Sequence, residues 1–134
     1  MSYLLDVNAL LALLFDRHEF HDRVERWVAS ERRHAGIVLA TCPLTELGFV
    51  RIASGVSTFG LDVAGARDLL ARFKKNKAIR TAFFSDSLEI DKLPAWVKKS
   101  AHVTDGYLMA LAEKNTSTLA TLDEGIPKAF LIPR

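Results

Sequence analysis

The sequence predicts an α/β protein, a three-layer α/β/α sandwich around a mostly parallel, five-stranded sheet. Three observations lead there. Strand-like apolar stretches alternate with stretches of helical periodicity, Ile37 to Thr41 is an almost wholly apolar run of the kind found in doubly covered parallel strands, and right-handed crossovers then place helices on both faces. Tyr3 to Val7 suits a central strand, and Ala9 to Phe15 a helix buried on most sides. Phe20, Val24, Trp27 and Val28 recur with Asp22, Arg23, Glu25 and Arg26 between them, giving an amphipathic helix from about His18 to Arg33 that Gly36 breaks. After the Ile37–Thr41 strand, Pro43 sits where a helix begins, its missing N–H costing nothing there, and Leu44, Leu47 and Val50 should point inward. Gly55, Ser57 and Gly60 mark a loop, and Val63, Ala66, Leu69, Leu70 and Phe73 form the next helical stripe. Thr81 to Phe84 reads as a third strand, while the polar stretch through Pro94 has no period and takes no assignment. Thr104 is a good N-cap for a helix from Asp105 to about Lys114, with Leu108, Leu111 and Ala112 inside. Thr118 to Leu122 makes a fourth strand, Asp123 to Gly125 a turn, and Ala129 to Ile132 a fifth strand.

With 134 residues, one domain spanning 1–134 is expected. A composition of 49% hydrophobic and 25% charged residues excludes a disordered tail or a collagen-like repeat. The longest apolar run, Ala9 to Phe15, is too short to cross a bilayer and lacks the basic flank of a secretory leader, so a soluble, cytoplasmic protein is expected. Cys42, the only cysteine, excludes an intramolecular disulfide and a thiolate zinc site. The net charge of +2 is uninformative, but Arg72, Lys74, Lys75, Lys77 and Arg80 bunch together without one acid among them.

Four acids stand out by position: Asp6 ending the first strand, Glu46 in the first turn after the second, Asp105 opening a later helix, and Asp123 ending the fourth strand. Each alone has an ordinary explanation in capping or turn chemistry. In an open parallel sheet, however, the carboxyl ends share one edge, and ligands bind there where the strand order switches. Asp6 and Asp105 also adjoin strongly apolar stretches, where an unpaired carboxylate is costly. A divalent cation relieves that cost, and hard oxygen donors suit Mg²⁺ or Mn²⁺ rather than zinc.

The segments LLDVNALLALL (Leu4 to Leu14), TELGFVR (Thr45 to Arg51), VTDGYLMALA (Val103 to Ala112) and LATLDEG (Leu119 to Gly125) resemble the four acidic motifs of the PIN domain. More narrowly they resemble the ribonuclease toxins of VapBC toxin–antitoxin modules, in the right order from Tyr3 to about Gly125. The resemblance implies an α/β/α sandwich, Mg²⁺- or Mn²⁺-dependent endoribonuclease activity, a homodimer, and inhibition by a cognate antitoxin that can place a basic side chain in the acidic groove. Carried over by position, Asp6, Glu46, Asp105 and Asp123 become the catalytic and metal-holding acids, with Asn8, Thr104 and Thr121 as supports.

Phosphodiester hydrolysis needs a nucleophilic water, shielding of the phosphate charge and a stabilised leaving oxygen, all of which a metal site supplies without a protein nucleophile. The lack of a paired-histidine constellation favours water over a ribose hydroxyl as attacking group, hence 3′-hydroxyl and 5′-phosphate products. An acidic pocket repels RNA, so binding is expected from Arg51, Arg72, Lys74, Lys75, Lys77 and Arg80 around it. His18 and His21 share a helical face but not the HExxH spacing, and neither GxGxxG nor a Walker lysine motif is present. The alternative is a noncatalytic, partner-binding regulator on a degenerate nuclease fold. That reading expects a lost acid, whereas all four positions are occupied.

Overall fold

Alternation along Tyr3, Leu4 and Leu5 decides which layer each side chain joins. Tyr3 and Leu5 pack with Leu39 beneath Val24, Trp27, Phe49 and Phe73, whereas Leu4 packs with Ala40 and Leu119 against Leu108, Leu111 and Ala112. In the computed structural model, which describes all 134 residues, these strands are β1 (Ser2–Leu5), β2 (Val38–Thr41) and β4 (Thr118–Thr121). With β3 (Arg80–Phe83) and β5 (Phe130–Leu131) they form one sheet in the order β3-β2-β1-β4-β5, every pairing parallel. Helices α1 (Val7–Leu14), α2 (His21–His34), α3 (Pro43–Gly55) and α4 (Val63–Lys74) bury side chains on one face, and α5 (Val103–Lys114) covers the other. This is the predicted α/β/α sandwich. None of its helices is long and apolar enough to cross a membrane.

From β1 the chain builds outward through β2 to β3, then returns to β1's other side for β4 and β5. The strand order therefore switches between β1 and β4, and a crevice at their carboxyl ends is the expected ligand position. Asp6 follows β1 directly, and Leu122 and Asp123 follow β4.

Several predicted boundaries move, each for a local reason. β1 stops at Leu5, because Asp6 turns to cap α1. α2 starts at His21 rather than His18, leaving Phe20 at its threshold and 38% exposed. Its buried stripe gains Arg23, whose Nε donates to the Ile132 carbonyl at 2.9 Å. On α3 the inward residues are Thr45, Gly48, Phe49 and Ala53, while Leu47, expected inside, is 70% exposed. The cause is Gly48, where a Cβ would stand 2.7 Å from Val7 Cγ2, so α1 and α3 meet along that line and Leu47 faces away. α5 begins at Val103 because a 3₁₀ turn at Ser100–His102 runs straight into it. Thr104 therefore lies inside the first turn and is not its cap. The unassigned stretch after β3 holds another 3₁₀ turn, Ile90–Lys92, and packs Phe84, Leu88 and Trp96 over the α5 layer. It closes down on Gly106, where a methyl group would overlap Val97.

Candidate active site

Asp6 sits where strand becomes helix, and its contacts follow from that. Its Oδ1 accepts the Ala9 N–H at 2.8 Å, satisfying one of the unpaired donors at the start of α1. Its Oδ2 accepts the Thr121 hydroxyl at 2.6 Å, and the Thr121 oxygen in turn accepts the Asp123 N–H at 3.0 Å. Two neighbouring strand ends are joined through one carboxylate. Asp123 closes an ordinary turn by accepting the Gly125 N–H at 2.8 Å.

Burial pushes Asp6 up to about 6 despite its two hydrogen bonds, and the charges of Asp105 and Asp123 push the same way. Asp105 is raised too, first by burial and then by Asp123, with His102 opposing. Three of the four predicted acids thus occupy one electrostatic neighbourhood, and none forms an ion pair. Asp6 and Asp105 line a cavity of about 210 Å³ together with Asn8, Thr104 and Arg51. Of the predicted supports, Thr121 bonds two acids, while Asn8 and Thr104 stand on the cavity wall.

Glu46 is placed elsewhere. Its Oε2 accepts the Thr41 hydroxyl at 2.6 Å and Lys74 Nζ at 2.7 Å, and it lines a separate cavity of about 620 Å³ between α3 and α4. Lys74 Nζ lies 4.7 Å from the Phe83 ring centroid, so cation, ring and carboxylate hold one another. This pairing removes Lys74 from the set of free basic residues. Arg72 pairs with Asp68 on its own helix at 3.1 Å. Lys75, Lys77 and Arg80 lie in or at the end of the α4–β3 connection, which enters the sheet at the amino edge, opposite the acids. Of the six basic candidates, Arg51 alone lines the acidic cavity.

No three His, Cys, Asp or Glu side chains gather closely enough to hold a metal ion by themselves. The donor set nevertheless fits a hard divalent cation. Asp6, Asp105 and Asp123 supply oxygens only, repel one another and have no partner cation, and Mg²⁺ commonly fills its remaining positions with water.

The raised Asp6 value has a sign that can be tested. Between its ordinary 3.8 and about 6, the folded chain holds a proton that the unfolded chain has lost, so stability falls as pH rises through that window and is level above it. In EDTA, urea unfolding is expected to give a wild-type protein less stable at pH 7 than at pH 4 by about 2 kcal/mol relative to Asp6→Asn. Parallel pH profiles for the two proteins would contradict this.

Residues 3–130 match the PIN domain, and the chain belongs to that class of α/β domain. Ribonuclease VapC38 of Mycobacterium tuberculosis is 38% identical over 125 residues, covering 92% of this chain and 86% of the relative. Ribonuclease VapC29 of the same species is 34% identical over 139 residues, covering 99% and 98%. The chain is a member of the VapC ribonuclease family. A crystal structure of VapBC2 from Rickettsia felis, bound to a DNA fragment from their promoter, shares the fold with a TM-score of 0.64 at 14% identity, covering 98% of this chain and 97% of that one.

Proposed function

We propose that this chain is a divalent-metal-dependent endoribonuclease and the toxin of a toxin–antitoxin pair. One observation carries the reading: at the strand-order switch, Asp6 and Asp105, both raised first by burial and then by neighbouring carboxylates that include Asp123, share a cavity with Arg51, and none of the three acids forms an ion pair. Asp6, Asp105 and Asp123 are the groups that would hold Mg²⁺ or Mn²⁺, and Glu46 reaches them only if its pair with Lys74 opens. Such an ion supplies an acidified water and charge shielding at the phosphate. Thr121 fixes the rotamer of Asp6 and the backbone of Asp123, so two of the acids are oriented before substrate arrives.

RNA held beside three carboxylates needs a compensating cation, and Arg51, which lines the cavity of Asp6 and Asp105, would supply it at the phosphate. Arg51→Ala is expected to reduce kcat/KM about tenfold and to lessen the slope of log affinity against log salt by about 0.7, the value for one single-strand phosphate contact. Lys77→Ala, at the opposite edge, is expected to change neither. Equal slopes for wild type and Arg51→Ala would remove that assignment.

Support for an antitoxin comes from the VapBC2 complex that shares the fold and from an apolar groove between α3 and α4, where Leu47, Val63 and Phe83 are exposed. A surface of that kind suits a protein partner, an antitoxin or a second copy in a homodimer, better than RNA. The reading is tested by incubating purified protein with total cellular RNA in Mg²⁺, Mn²⁺ or EDTA and mapping new 5′ ends. Discrete cuts that EDTA abolishes are expected, and RNA left intact under all three conditions would overturn it.

A further inference from the structure

Next to the acidic cavity lies a second one, of about 320 Å³, whose residues other than Asn8 and Asp123 have no part in the cleavage chemistry. Its walls are Asn8, Leu122, Asp123 and the turn His18, Glu19 and Phe20 between α1 and α2. Asn8 lines both cavities, so a strand crossing the acids would present its neighbouring nucleotide here. We propose that this cavity is a nucleobase subsite, in which one base beside the scissile phosphate stacks on Phe20 and is read by His18 and Glu19, with guanine preferred. The proposal rests on the nuclease reading and deepens it.

Charge selects the ligand class first. With Asp123 assigned to the metal, Glu19 is the free carboxylate of this cavity, and it favours a neutral group with N–H donors to offer over a phosphate. Phe20 supplies the platform. It is exposed yet held, because the guanidinium of Arg23 lies over its ring at 5.7 Å from the centroid and Arg23 is itself fixed by the Ile132 carbonyl. Single-stranded bases are commonly recognised by stacking on such a side chain.

His18 and Glu19 supply the reading. His18 Nδ1 accepts the Phe20 N–H at 3.0 Å, which places the ring proton on Nε2 and leaves it as a donor. Burial lowers the proton affinity of His18 and so favours this neutral form. His21, by contrast, is taken up by the Ala12 carbonyl at 2.8 Å and Glu25 at 2.6 Å, so the two histidines form no metal clamp. Glu19 is exposed and forms no ion pair, leaving a carboxylate free to accept. A donor beside a two-oxygen acceptor matches guanine, whose O6 accepts while N1–H and N2–H donate side by side. Uracil, with one N–H between two carbonyls, gives the carboxylate a single hydrogen bond and sets a carbonyl against its second oxygen.

The test reads binding in EDTA, where no cleavage intervenes, by fluorescence anisotropy of two RNA probes: a uridine octamer and the same octamer with one central guanosine. Wild type is expected to bind the guanosine probe about tenfold more tightly. Phe20→Ala should weaken both probes about tenfold, Phe20→Trp should restore them, and Glu19→Gln should remove the preference while retaining the binding of the uridine probe. Equal affinity of wild type for the two probes, or a preference that survives Glu19→Gln, overturns the subsite. Cleavage is scored separately with Mn²⁺, so a protein that cuts RNA yet binds both probes alike refutes the subsite and leaves the nuclease reading standing.

Discussion

Asp105→Asn is expected to lower metal-dependent RNA cleavage at least about a hundredfold in kcat/KM while leaving the protein folded. Asparagine keeps the size of the side chain but loses the charge that would hold the ion. Asp105 caps nothing, since α5 begins two residues before it, so no structural bond is lost with the charge. Asp6→Asn should be equally inactive, with a second signature. Its amide oxygen can still accept the Ala9 N–H that starts α1, while the carboxylate charge, whose burial lifts the acid to about 6, is gone. In EDTA at pH 7, Asp6→Asn should therefore melt above wild type, and added Mg²⁺ should raise the melting temperature of wild type only. Wild-type cleavage by folded Asp105→Asn protein would take these acids out of the chemistry.

Phe49→Ala should damage the fold severely, costing about 3–5 kcal/mol and lowering the melting temperature by roughly 10 °C or more. Phe49 is fully buried on α3 and stacks on Phe15, just past the end of α1, with ring centroids 5.8 Å apart. Truncation opens a void where the two helices meet, and α1 is the helix that Asp6 starts. Leu47→Ala, two residues away on the exposed side of α3, should shift stability by no more than about 0.5 kcal/mol. Urea unfolding of the two variants at matched pH separates them, and equal losses would mean that α3 is buried the other way round.

Much of this was legible in the chain because strand-to-helix junctions announce themselves. Asp6 and Asp123 follow strands that the parallel pattern sends to one edge, and Asp105 opens a helix whose apolar face is plain in Leu108, Leu111 and Ala112. The position of Glu46 along α3 is readable in the chain but its partner is not: Lys74 is 28 residues distant and meets it through the packing of α4 on α3. The basic run carried an unused signal. Residues that precede a parallel strand enter at the amino edge, which already puts Lys75, Lys77 and Arg80 away from the acids. Thr104 looked like a cap because the 3₁₀ turn before it has no sequence period to betray it. The turn His18–Phe20 is hidden in the sequence because Phe20 keeps the helical spacing of Val24, Trp27 and Val28, although the helix starts only at His21.

Gly106 has a consequence for how this chain can diverge. The long connection from Phe84 to His102 meets the helix of Asp105 at Gly106, where a Cβ would stand 2.3 Å from a methyl of Val97. A bulkier residue at position 97 would therefore press on the helix one residue from Asp105, so the connection is tied to the acid at that point. A side chain at position 106 would in turn push Val97 outward, so glycine keeps the connection and the acid-bearing helix in register.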